Sequence, residues 1–143
     1  MFCYKYPHPA VTADCIVFNQ EGNSVSVLLI KRKNEPYKDC WAFPGGFINI
    51  DESAENAAVR ELKEETGLEV SKVEQLKAYS NPDRDPRERV ITIAFIAQSK
   101  IKEVKGADDA KEARWFDISN LPPLAFDHEM ILKDAIDKLK SKK

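Results

Sequence analysis

The hydrophobic positions of the chain fall into two rhythms. From Val11 to Asn19 and from Val25 to Lys31, apolar and β-branched residues run nearly unbroken, and Gln20-Glu21-Gly22-Asn23 between them supplies turn chemistry. This predicts a strand pair. Trp41-Ala42-Phe43 is a shorter apolar stretch ended by Pro44-Gly45-Gly46, a loop in which glycine lets another group come close to the backbone. Segments 70–80 and 89–98 predict two more strands, joined by the polar loop Asn81-Pro-Asp-Arg-Asp-Pro-Arg-Glu88, and Trp115-Phe116 begins another apolar patch.

Helical spacing governs two other segments. Asp51 or Ser53 can N-cap a helix reaching about Thr66, with Glu52 and Glu55 in its positively polarised first turn and Gly67 just beyond its end. Ile131, Leu132, Ala135, Ile136 and Leu139 recur at helical spacing within 127–140, which predicts a closing amphipathic helix. Strands mixed with two helices predict an α/β layered domain, and the absence of repeats or linkers makes residues 1–143 a single unit.

Composition excludes several classes. No apolar run approaches the roughly 20 residues that span a bilayer, so no membrane partner is expected. The start Met1-Phe2-Cys3-Tyr4-Lys5-Tyr6-Pro7 has no secretory pattern, which makes the cytoplasm the expected compartment. Cys3, Cys15 and Cys40 lack Cys-x-x-Cys spacing, and His8 and His128 stand alone, so neither a disulfide framework nor a zinc site is expected. Lys plus Arg number 22 against 24 Asp plus Glu, a net charge of −2, which offers no broad basic surface for nucleic acid.

That balance hides uneven placement. Asp51, Glu52, Glu55, Glu61, Glu64 and Glu65 crowd one segment, whereas lysines end the chain. At about 100° per residue, Glu61, Glu64 and Glu65 fall within an arc of about 100°, beside the packed stripe of Ala54, Ala58 and Leu62. Partly desolvated carboxylates so arranged repel one another, and a cation resolves the conflict. Oxygen ligands without His or thiolate favour Mg²⁺ or Mn²⁺, and those ions favour phosphate chemistry.

An acidic helix face alone is usually just solvated charge. The neighbours reverse that reading. Gly46-x5-Glu52-x7-Arg60-Glu61-Leu62-x-Glu64-Glu65-x-Gly67-Leu68 resembles the signature of the Nudix hydrolases at every specified position. The resemblance implies a mixed β-sheet sandwiched between α-helices, and hydrolysis of a nucleoside diphosphate linked to another moiety by water attack on phosphorus. It implies that Glu61 and Glu65 ligate divalent cations, that Glu64 ligates directly or through water, and that Gly45 contributes its carbonyl oxygen. Arg60 is then expected to hold a box glutamate, Glu61 or Glu52, in position. A general base is expected outside the box, at Asp108, Asp109 or Glu112, with Glu112 preferred because it lies just before the Trp115 strand.

The box does not name the substrate. The loop Ser80-Asn81-Pro82-Asp83-Arg84-Asp85-Pro86-Arg87, with Pro82 15 residues beyond Gly67, is similar to a stretch in ADP-ribose pyrophosphatase-like Nudix proteins. Arg84 and Arg87 present guanidinium forks suited to phosphate or ribose hydroxyls, or else pair with Asp83 and Asp85. Arg32, Phe43 and Gly46 are further candidates to line the substrate site, and Phe43, Phe47, Tyr79 and Phe126 are possible platforms for an adenine ring. The segment Leu124-Ala-Phe-Asp-His-Glu129 is also similar to this subfamily and to related regulators of NAD metabolism, whose DNA-binding winged helix is not expected within residues 1–143. His128 either touches substrate or caps the last helix.

The resemblance therefore implies cleavage of ADP-ribose into AMP and ribose 5-phosphate, with an oxidised-nucleotide triphosphatase or a non-catalytic metabolite sensor as alternatives. The Tyr4-to-Pro9 arm is, by the same resemblance, a possible homodimer element.

Overall fold

The computed structural model describes residues 1–104 and 110–142. Its elements follow in the order β1 (Ala10–Glu21), β2 (Ser24–Arg32), β3 (Trp41–Ala42), β4 (Gly45–Phe47), α1 (Ala54–Thr66), β5 (Glu74–Tyr79), β6 (Val90–Gln98), β7 (Ala110–Asp117) and α2 (His128–Ser141). The main sheet runs β3-β2-β1-β6-β5, with β4 paired to β1 and β7 to β2. β1 and β6 are parallel and the other pairs antiparallel, so the sheet is mixed.

Strand periodicity explains why both faces are covered. On β1, Ala13, Cys15 and Val17 point to one side and pack with Ala57, Ala58 and Leu62 of α1, while Ile16 and Phe18 point to the other and pack with Ile131, Leu132 and Ala135 of α2. β1 is therefore apolar without alternation, as a strand buried on both faces must be. Burying each such large side chain contributes about 1.5–3 kcal/mol. The expected layering of a sheet between helices is the observed one.

Local departures from the expected elements have clear causes. Ser53 is the cap that forms: its hydroxyl accepts from the Asn56 N–H at 3.1 Å. Glu52 consequently precedes the helix, where its carboxylate accepts from the Asn49 N–H at 2.9 Å. Gly67 closes α1 in the left-handed conformation, φ 79°, donating to the Lys63 carbonyl. The glycine loop is partly strand, because Gly45 and Gly46 pair with Asp14 and Ala13 across β4 and β1.

Candidate functional site

A cavity of about 610 Å³ opens where the ends of β1, β2, β4 and β6 meet the N-terminus of α2. Its walls carry opposite charge. Glu61, Glu65 and Asp14 line one side, and Arg32, Arg84 and Arg87 the other.

The acidic wall is built by packing α1 against two glycines. A Cβ on Gly46 would lie 2.6 Å from the Glu61 carboxyl carbon, and one on Gly45 would lie 2.2 Å from Asp14 Oδ1 and 2.5 Å from the Ala13 carbonyl oxygen. Only glycine leaves room for the two carboxylates. The Gly45 N–H donates to Glu65 Oε1 at 2.7 Å, a charge-assisted bond that fixes this side chain against the sheet.

Arg60 organises the rest of the box. Its guanidinium donates to Glu52 Oε1 at 2.6 Å, to Glu61 Oε1 at 2.8 Å and to Glu64 Oε2 at 3.0 Å. The structure thus brings Arg60 onto both glutamates expected of it and onto a third. Burial pushes the Glu61 carboxyl up, and Arg60 beside it pulls it only part of the way back. Glu64 behaves differently from the expectation of shared desolvation. Its side chain is 48% exposed and it lies outside the cavity lining.

The donor set suits a hard divalent cation. Glu61 is desolvated yet not fully neutralised, and Glu65 faces the same cavity. Among the described residues no group of three or more His, Cys, Asp or Glu side chains is gathered to hold a metal by itself, so backbone, water and substrate oxygens would complete its shell.

Asp14 was not foreseen. It is the one charge within Val11–Asn19, a signal that a strand buried on both faces carries a residue with another task. Thr92 donates its hydroxyl to Asp14 Oδ2 at 2.7 Å, and His128 Nε2 lies 3.7 Å from the same oxygen. His128 is buried, which lowers its pKa and keeps it neutral. Its Nδ1 accepts from the Phe43 N–H at 3.2 Å, which leaves the ring proton on Nε2, facing Asp14. Phe43 itself is buried and stacks on His128 at 4.6 Å, so it serves as cavity wall.

The basic wall corrects one further expectation. Arg84 pairs with neither Asp83 nor Asp85. Its Nε and Nη2 donate to the two carboxylate oxygens of Asp127 at 2.9 and 2.7 Å, and the side chain is only 4% exposed, so it is committed to the protein. Arg87 does pair with Asp85, at 3.0 and 2.7 Å, while remaining half exposed at the cavity mouth. Despite burial, which pushes it up, the Asp85 carboxyl is held low by Arg87. Arg32 donates Nε to the Pro36 carbonyl at 2.8 Å, and both Arg32 and Arg87 sit over the Phe126 ring, at 5.0 and 5.5 Å from its centroid.

Glu112 is elsewhere. It accepts from Arg114 at 2.9 Å on β7 and does not line the cavity, because β7 lies beyond β2 at the edge of the sheet. Asp108 and Asp109 lie outside the described residues. Of the four aromatic platforms, Tyr79 is core, buried and donating to Asp134 at 2.8 Å, whereas Phe47 and Phe126 face the cavity with Phe43.

Known proteins resemble this chain along most of its length. The family described as NUDIX domain matches residues 8–138. An ADP-ribose pyrophosphatase of Methanocaldococcus jannaschii is 56% identical over 130 residues, which are 90% of this chain and 74% of that protein. Among solved structures, a MutT/nudix family protein from Enterococcus faecalis superposes with a TM-score of 0.90 at 33% identity, over 99% of this chain and 66% of that one. The NUDIX domain of Shewanella oneidensis NrtR, complexed with ADP ribose, superposes with a TM-score of 0.87 at 29% identity, over 94% of this chain and 90% of that one.

Proposed function

The chain belongs to the NUDIX domain family, and from that premise we propose that it hydrolyses the pyrophosphate linkage of ADP-ribose, releasing AMP and ribose 5-phosphate. One observation carries the reading: a single cavity joins the family's box glutamates to a wall of arginines, so a pyrophosphate can meet acids and bases at once.

In this reading Glu61 and Glu65, with the Gly45 carbonyl, hold Mg²⁺ or Mn²⁺, and Glu64 acts from the rim through water. A cation bound there supplies charge neutralisation at the pyrophosphate oxygens and acidity to the attacking water. Arg60 keeps Glu61 aimed at the cavity while tying it to Glu52. Gly45 and Gly46 keep the carboxylates within reach of bound phosphate, and Arg32 and Arg87 draw the anionic substrate into the mouth. With Glu112 turned to Arg114, the candidates for general base narrow to Asp108 and Asp109.

Residues 1–143 act as one domain in the cytoplasm, and the exposed Phe2, Tyr4 and Tyr6 supply a surface for a homodimer. Among the described residues no helix is long and apolar enough to cross a membrane.

The purified protein, assayed with each metal against ADP-ribose, other nucleoside diphosphate sugars and oxidised dGTP, tests the reading. AMP formation that is fastest from ADP-ribose is expected. Pyrophosphate release from triphosphates without ADP-ribose turnover would replace this function by nucleotide sanitising, and tight ADP-ribose binding without turnover would replace it by sensing.

A further inference from the structure

Three consecutive residues leading into α2 together reach both walls of the cavity. The Phe126 ring lies under Arg32 from β2 and Arg87 from the 81–88 loop. Asp127 takes both hydrogen bonds of Arg84 from that same loop. His128 takes the Phe43 N–H and faces Asp14 of β1.

Local cost marks the segment as constrained by its surroundings. Phe126 has φ 53°, a left-handed conformation that a bulky aromatic residue rarely adopts. Tyr37, also left-handed at φ 61°, packs its ring on Phe126 at 4.8 Å. Asp127 occupies the N-cap of α2, where an aspartate normally accepts a backbone N–H of the first turn. Here it makes no such bond, and both of its oxygens are turned to Arg84 instead. A helix start that forgoes its own cap and bends a phenylalanine into left-handed space serves the site rather than the helix.

We infer that Phe126-Asp127-His128 is a positioning element that sets the Arg32–Arg87 pair as an anion receptor for the nucleoside diphosphate substrate, opposite the acidic wall. Phe126 offers one ring to two guanidiniums, which otherwise repel; Arg87 lowers the pKa of Arg32, second only to burial. The Arg84–Asp127 pair fastens the loop that carries Arg87, and the His128 bond to the Phe43 backbone places that assembly relative to Gly45 and Glu65. The receptor engages substrate without the metal. This rests on the nucleoside diphosphate reading of the site, but it makes a separate demand on binding.

The test measures ADP-ribose binding by calorimetry in EDTA, together with kcat and KM with metal, for the wild type, Phe126→Leu, Phe126→Tyr and the double variant Arg84→Met/Asp127→Leu. Phe126→Leu is expected to weaken metal-free binding and raise KM on the order of tenfold, with kcat within about threefold, as fits two lost cation–π contacts. Phe126→Tyr, which keeps the ring faces, restores both. The double variant replaces the buried pair without stranding a charge, so it folds, as thermal melting will verify, and shows the same KM rise through a loosened Arg87 loop. Metal-free binding in Phe126→Leu equal to wild type, or turnover of ADP-ribose by a wild type that binds none without metal, overturns the inference. A wild type that binds ADP-ribose without metal yet never hydrolyses it overturns the proposed function alone.

Discussion

Arginine–carboxylate pairs support both walls of the cavity, yet they are assembled in opposite ways. Beside the acidic wall Arg60 meets Glu52, Glu61 and Glu64, of which Glu61 alone lines the cavity; all lie within eight residues of it along the chain, and its side chain stays 28% exposed. On the basic wall Arg84 meets Asp127 across 43 residues and is almost entirely buried. The first arrangement is complete within a short stretch of chain, on α1 and just before it, and stays near solvent. The second exists only once the 81–88 loop and α2 have docked, and cannot be undone cheaply. A charge held locally near solvent can take part in chemistry; one held at long range in the interior serves as a fastening.

That contrast is open to breakage, and the largest effect is expected at the buried pair. Asp127→Asn strands the Arg84 charge in the interior and should cost about 3–5 kcal/mol of stability, read by denaturant unfolding, whereas Arg84→Met/Asp127→Leu should recover most of it. Equal stability of the single and double variants would show that the pair is not a fastening.

The acidic wall should lose chemistry instead of stability. Glu65→Gln is expected to lower kcat by on the order of a hundredfold or more, several kcal/mol of transition-state stabilisation, with an unchanged melting temperature. Arg60→Gln should weaken metal affinity by about 10–100-fold, visible as a shifted metal titration, with turnover partly recovered at high metal. A Glu65→Gln protein as active as wild type would remove Glu65 from the metal site.

The smallest effect is a pH dependence that belongs to the basic side. Burial depresses the His128 pKa in the folded state, so below about 6.5 the unfolded chain binds a proton that the folded chain refuses. Stability therefore rises with pH up to about 6.5 and is lost as pH falls towards the depressed value, by at most about 1.4 kcal/mol per unit. Melting curves between pH 5 and 7.5 should be steeper for wild type than for His128→Gln, which keeps an acceptor for the Phe43 N–H. Parallel slopes would mean that His128 titrates normally.

The same contrast decides what could be read in advance. The resemblance to the box placed Arg60 on Glu61 or Glu52, and it meets both because all three lie close together in the chain, on α1 and just before it. The sheet between helices was likewise implied by the resemblance, and the unbroken apolar run of β1 fits it. By contrast, Arg84 was matched to its sequence neighbours Asp83 and Asp85, since nothing in the loop announces that Asp127 will arrive beside it. Glu112 seemed near the chemistry because it precedes Trp115 in the chain, but the pairing of β7 outside β2 carries it away.

By itself, then, the sequence determined the α/β layering, the carboxylate-rich helix with its terminating glycine, and the set of carboxylates available for a cation. These depend on backbone periodicity and on contacts between residues near in the chain. Only the tertiary structure decided which carboxylates lose water, that Asp14 joins them, that Glu64 stays at the rim, and that Phe126, Asp127 and His128 bind the walls together. Desolvation and long-range pairing depend on which surfaces meet when the sheet closes between its helices, and no spacing along the chain encodes that meeting directly.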